Sequence, residues 1–221
     1  MSDLERSSLL EVIDSHKQED IIEMLMEWSL ESRESVVEVS VDMWGGFAKV
    51  IKNVFPNARL VYDRFHVMKV INEELNKIRK QYQSEISKTK IKYVKYLLLK
   101  NRSSLKEDQE SKLEQILNCS KILRTAHELK EEFRKIYETH QTPENARINF
   151  ESWMNKAAKL YNESIVTIQN HFDGICNYFY NRTTSGVMEG INNKIKLIKR
   201  QAYGFTNFDH LRMRLIAAFS D

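Results

Sequence analysis

"LVYDRFHVMKV", Leu60 to Val70, is the stretch on which the fold turns. Leu60, Val61 and Tyr62 form the apolar run of a buried strand, and Asp63, Arg64 and His66 interrupt it with charge. Beyond them the apolar period changes. Met68, Ile71, Leu75, Ile78 and Tyr82 fall on one face of a long helix. A strand therefore hands over to a helix at Asp63. A carboxylate there can accept backbone N–H groups of the first helical turn. An acid and an imidazole three apart can equally face a ligand together from that turn.

Working upstream, strand and helix periods alternate. Ser8 to His16 reads as a short strand that turns polar, with strand character from Ser8 to Ile13. Ile21, Ile22, Leu25 and Trp28 then recur at helical spacing. β-Branched residues alternate from Val36 to Val41 until Asp42 and the pair Gly45–Gly46 stop the run. A short helix closed by Pro56-Asn57-Ala58 precedes the strand ending at Asp63. Strands separated by helices imply parallel pairing through crossovers.

Working downstream, no strand pattern recurs until about Tyr180. The segment is helical, broken at "KNRSSLKEDQE", where Ser103 or Ser104 is the expected cap, and at "HQTPENAR", where Pro143 opens a new helix. The pattern then changes again. Ser185 is the expected cap of a helix whose Val187, Ile191, Ile195 and Ile198 form an apolar stripe. Glu189, Asn193, Lys196 and Arg200 share the opposite face, and a last amphipathic helix starts near Phe208.

Composition excludes several classes. With 42% hydrophobic and 29% charged residues the chain is an ordinary globular one, and six Gly and two Pro are too few for a turn-rich all-β fold. Its apolar runs are too short to span a bilayer and no signal-peptide pattern opens it. Cys119 and Cys176 form no CxxC pair and read as buried free thiols in a reducing cytoplasm. The net charge of +3 says little, but the C-terminal segment concentrates Lys194, Lys196, Lys199 and Arg200, compatible with a polyanionic partner. Trp28 and Trp153 read as core. Trp44 reads as core too, with base stacking as its functional alternative. His16, His127, His140, His171 and His210 have no spacing that suggests a metal.

Three acids stand at strand ends or head a helix face: Asp42, Asp63 and Glu189. Convergent carboxylates of this kind can hold Mg²⁺ ions for chemistry on phosphate, although an isolated acid after a strand is most often a turn or cap residue. The blocks "SVDMWGGF", "VFPNARLVYDRFHVMKVINEELNKIRK" and "SGVMEGINNKIKLIKRQAYGFTNFDHLRMRL" resemble the catalytic domain of bacterial insertion-sequence transposases of the ISL3 type, which are DDE transposases with a ribonuclease H-like fold.

The resemblance implies an α/β fold that is helix-dominated overall. Its ribonuclease H-like core is formed by residues 1–66 and 181–221, interrupted by a large all-helical insertion over 67–180. It implies DNA cleavage and strand transfer with Mg²⁺ or Mn²⁺, acting on transposon ends and target DNA, as a homo-oligomer associated with the bacterial nucleoid. By position, Asp42 and Glu189 match the second and third catalytic and metal-binding acids. Asp63 and His66 match an acid-x-x-His signature, with roles in DNA contact, in orienting a metal ligand, or as local helix cap and partner left open. Arg64, Asn193, Lys194, Lys196, Lys199 and Arg200 are the remaining expected DNA contacts.

The family's first catalytic Asp has no counterpart here, and neither do its N-terminal zinc ribbon and helix-turn-helix. The resemblance therefore implies a C-terminal piece of a transposase, inactive alone and unable to retain its metal. A non-catalytic DNA-binding or protein-interaction module is the alternative.

Overall fold

The structure is a computed structural model of the 221-residue chain. It describes every residue except Trp44, Thr184, Ser185, Tyr203, Phe205, Thr206, Ser220 and Asp221. The expectations placed on Trp44 and on Ser185 as a helix cap lie outside the described residues.

Strand β1 (Ser2–Asp3) and strand β2 (Ser8–Leu9) form an antiparallel hairpin with Ser2 opposite Leu9 and Asp3 opposite Ser8. The Asp3 carboxylate closes the turn by accepting the N–H groups of Glu5 and Arg6 at 2.9 and 3.0 Å. Helices α1 (Gln18–Met26) and α2 (Leu30–Glu34) follow, the latter capped by Ser29, whose hydroxyl accepts the Ser32 N–H. Strand β3 (Glu38–Val41), helix α3 (Gly45–Val54) and strand β4 (Arg59–Tyr62) form a strand–helix–strand segment in which β3 and β4 are hydrogen-bonded neighbours.

The described strands thus make two separate two-stranded sheets, not the expected parallel run, and the first of them is antiparallel. The strand expected over Ser8–Ile13 stops at Leu9. The Leu10 and Glu11 N–H groups both turn to the Met1 carbonyl, at 3.0 and 3.3 Å, so the ladder ends there. Val12 and Ile13 then pack their side chains among helices.

Helices supply the rest: α4 (Arg64–Gln81), α5 (Gln83–Ser87), α6 (Val94–Leu99), a 3₁₀ turn (Arg102–Ser104), α7 (Glu107–Leu117), α8 (Lys121–Glu138), α9 (Pro143–Ala157), α10 (Asn162–Asn170), α11 (Phe172–Asn181), α12 (Gly186–Gln201) and α13 (Phe208–Ala218). Pro143 opens α9 as its spacing implies, and Thr142 caps it through the Asn145 N–H. The cap expected at Ser103 or Ser104 is displaced. Those residues are taken up by the 3₁₀ turn, and α7 starts at Glu107, where the Gln109 side chain reaches back to the Lys106 N–H.

Two compact units emerge, Met1–Leu60 with Thr183–Asp221, and Val61–Arg182. In the first, Leu9, Ile191, Ile198, Leu211 and Leu215 bury one cluster built from β2, α12 and α13. A second cluster joins Ile21, Leu25, Val50, Val54 and Phe55, with Trp28 edge-on to Phe55. Each such fully buried aliphatic or aromatic side chain stabilises by roughly 1.5–3 kcal/mol.

The second unit is built around Phe133, Tyr137, Phe150, Trp153 and Phe179, whose rings meet mostly edge to face. Trp153 and Tyr161 are fully buried without losing a hydrogen bond. The indole donates to the Leu129 carbonyl at 2.8 Å and the phenol to Ala126 at 2.7 Å. Charge is buried beside them: the Lys130 ammonium, wholly enclosed, donates to the Lys100 carbonyl at 3.0 Å and pairs with Glu131.

Candidate active site

Asp42 and Glu189 belong to the same compact unit. Asp42 follows the last residue of β3 and is half-buried, while Glu189 sits exposed in the first turn of α12. Two contacts seat α12 in that unit. The Thr183 hydroxyl, three residues before the helix, donates to the Glu38 carboxylate at the start of β3. Ser2 of β1 touches the Met188 sulfur, next to Glu189. A third link closes the unit elsewhere. Arg212 of α13 grips both oxygens of Glu11, at 2.6 and 2.5 Å, and this guanidinium holds the Glu11 carboxyl below the usual carboxylate range.

The helical period sorts the expected DNA contacts of α12. At about 100° per residue, Asn193, Lys196 and Arg200 all lie within about 40° of Glu189, with Lys199 on the flank. All are exposed, and Lys196, Lys199 and Arg200 form no ion pair among the described residues. Lys194 is different. It lies about 140° round the helix from Glu189. Its ammonium donates to the Ala218 carbonyl at the end of α13 and stands 4.3 Å over the Phe219 ring. A cation there suits the negative helix end, so Lys194 is engaged in holding α13.

Asp63, Arg64 and His66 lie in the other unit. Asp63, only 9% exposed, accepts the Phe65 N–H at 2.9 Å and is the N-cap of α4. Arg64 pairs with Glu138 at 3.3 Å and covers the Tyr137 ring at 5.5 Å. His66 is half-buried and edge-on to the exposed ring of Phe65. Asp63 and Arg64 are therefore both occupied in starting α4 and packing it.

Carboxylate oxygens are the donors that a hard divalent ion takes. Among the described residues, however, no group of three metal-ligating side chains comes together. Both cysteines are free as expected, but only Cys176 is buried, and Cys119 is half-exposed. No helix of the described residues is long and apolar enough to cross a membrane.

Residues 1–215 match the family profile described as "Transposase", of the DDE, ISL3 type. The chain is 29% identical over 191 residues to the transposase for insertion sequence element IS1001 of Bordetella parapertussis, covering 82% of this chain and 47% of that protein. It is 25% identical over 200 residues to the transposase for insertion sequence element IS1557 of Mycobacterium tuberculosis, covering 77% of this chain and 45% of that protein. A Lactococcus lactis protein named ATP-dependent protease is 27% identical over 107 residues, 47% of this chain. The chain spans about half the length of the two insertion-sequence transposases it matches. No solved structure matches it significantly. With the match running through both units, the chain belongs to the ISL3-type family of DDE transposases.

Proposed function

We propose that this chain supplies two catalytic carboxylates, Asp42 and Glu189, and a DNA-gripping helix face to a transposase that cuts and joins the strands of an insertion sequence. The observation that carries this reading is α12. Its one carboxylate leads an exposed face of Asn193, Lys196 and Arg200, and Asp42 ends a strand of the same unit. Cationic and amide side chains on that face would hold phosphates and set the DNA in register without reading its sequence. A strand laid along α12 would pass Glu189 at the helix's first turn.

We infer a ribonuclease H-like core over residues 1–66 and 181–221 and a helical insertion over 67–180. Support comes from the antiparallel hairpin β1–β2, the strand–helix–strand segment β3–α3–β4, and a carboxylate-bearing helix that follows the long helical stretch. The partners in this reading are transposon-end and target DNA and further copies of the same protein on the bacterial nucleoid. Mg²⁺ or Mn²⁺ is the metal in this reading, and Asp42 and Glu189 are the carboxylates that would hold it. The chain is expected to bind DNA with a marked salt dependence.

The test is metal mapping with ferrous iron, ascorbate and peroxide, which cut the polypeptide beside a bound ion. Cuts near residue 42 and near residue 189, both suppressed by excess Mg²⁺ and by Glu189→Ala, are expected. Cuts at neither position would remove the shared centre. That outcome would favour the second reading, a DNA-binding module without chemistry.

A further inference from the structure

We propose that residues 88–96 of the helical unit form a second nucleic-acid surface, one that takes a DNA strand with unpaired bases. It rests on the DNA reading above only for the choice of DNA over RNA. Between Glu85 and Glu107 the sequence holds no acid at all, while Lys88, Lys90, Lys92 and Lys95 crowd into eight residues. All four lysines are exposed, and none forms an ion pair among the described residues. Other cations of this unit are ion-paired, as Lys77 is with Glu163 and Lys156 with Glu132. The one acid lining the neighbouring cleft, Asp108, is paired with Lys112 at 3.2 Å, so this concentration of lysines is a polyanion footprint.

Two tyrosines are set among these lysines. Tyr93 is 80% exposed and Tyr96 50% exposed. Both line an open cleft of about 360 Å³ between the start of α6 and α7. Lys100 stands 5.2 Å over the Tyr96 ring, so that ring is already held in place by a cation. The backbone presents Tyr93 at a cost. Lys90 and Tyr93 both have left-handed φ angles, 55° and 59°, which bulky side chains rarely adopt. The left-handed bend at Tyr93 starts α6, whose Leu97 and Leu98 are buried, and turns the phenol outward.

These features select a nucleic-acid strand among the polyanions. The Cα atoms of lysines two residues apart stand at most on the order of 7 Å from each other, so their flexible side chains can reach successive phosphates along one strand. Exposed aromatic faces give stacking platforms that any base fits. A lipid surface would call for exposed aliphatic side chains, but Leu97 and Leu98 are buried and only the tyrosines are both large and exposed here. A paired duplex offers no base faces to Tyr93, whereas a single-stranded end or flank does.

Fluorescence anisotropy with the full chain tests this, using one labelled blunt duplex and one duplex with a single-stranded overhang, each over a salt series. Lys90→Ala/Lys92→Ala/Lys95→Ala is expected to weaken overhang binding and to flatten its log–log salt slope by about 2, at roughly 0.7 per lost phosphate contact. Tyr93→Ala is expected to weaken overhang binding about tenfold or more and to leave the blunt duplex unchanged, while Tyr93→Phe keeps the affinity. Tyr93→Gly removes the left-handed strain, so it should raise Tm while losing the same affinity, which separates binding from folding.

An unchanged salt slope in the triple variant, or equal losses on both DNAs for Tyr93→Ala, would overturn the proposal. So would tighter binding of the matching RNA, or capture by phosphatidylserine vesicles that DNA does not compete. Lys196→Ala/Arg200→Ala reports separately on α12. If that variant binds normally while the variants at 90–95 do not, the α12 reading fails and this surface stands.

Discussion

The Asp63 carboxylate accepts the Phe65 N–H at 2.9 Å and closes the first turn of α4. Through that bond the acid in "YDRFH" acts structurally, ending β4 and beginning the helix that the "LVYDRFHVMKV" stretch enters. Asp63→Ala is expected to lose about 1 kcal/mol in urea unfolding, with Asp63→Ser retaining most of it. His66→Ala, which removes no cap, should shift the urea midpoint far less. A large loss for His66→Ala and none for Asp63→Ala would reverse the assignment.

A second cap is made across sequence. Glu74 of α4, nearly buried, accepts the N–H groups of Glu163 and Ser164 at 3.2 and 2.7 Å, and so caps α10 from some ninety residues away. Glu74→Ala strands the buried Ser164 N–H and should cost about 2–3 kcal/mol. Thermal unfolding of this variant beside Glu73→Ala, an exposed neighbour, checks the effect. Equal Tm values for the two would rule out the cap.

His127 makes the helical unit sensitive to acid. Its burial, with the Lys130 ammonium close by, pushes the imidazole down to about 4 from an ordinary 6.5. The unfolded chain therefore takes up the proton first. Stability from this group is complete above pH 6.5 and falls as pH drops toward 4. By pH 5 the loss is roughly 2 kcal/mol. Urea titrations at pH 7 and pH 5 should show this fall in the parent chain and a smaller one in His127→Gln. Identical pH dependence in both would remove His127 as the cause.

The two thiols should separate under alkylation. Burial pushes the Cys176 thiol up to about 11, so at neutral pH it is both enclosed and protonated. Cys119, half-exposed, is expected to react with iodoacetamide in the folded chain, and Cys176 only after denaturant is added. Mass spectrometry of the two peptides reads this directly. Labelling of Cys176 at the same rate as Cys119 would contradict its enclosure.

Much of the helical architecture is legible from the apolar period. The Val187–Ile198 stripe of α12 is the buried one, Pro143 opens its helix, and the last helix begins at Phe208 as the pattern implies. What the period cannot show is who partners whom at long range. The β1–β2 hairpin rests on two residues per strand, too few for alternation to register. Lys130 and Glu74 look like surface residues in sequence, because a carbonyl that holds Lys130 and the N–H groups that Glu74 accepts lie thirty and about ninety positions away. Lys194 stands among the other cations of its segment in sequence, but its helical angle sends it to α13 instead. The lysines at 88–95 have a legible signal, the acid-free run from Glu85 to Glu107, hidden within an evenly charged helical region.

Strand cleavage tests the role of Asp42 and Glu189 most directly. Residues 1–215 of this chain can replace the matched region of the IS1001 transposase, and the chimera can be assayed with Mg²⁺ for nicking at labelled IS1001 ends. The chimera is expected to nick, and Asp42→Ala or Glu189→Ala is expected to lower the rate by at least about 10³-fold while leaving end binding intact. A chimera that binds the ends without cutting them, or one whose cutting survives Glu189→Ala, would contradict the assignment of the active site.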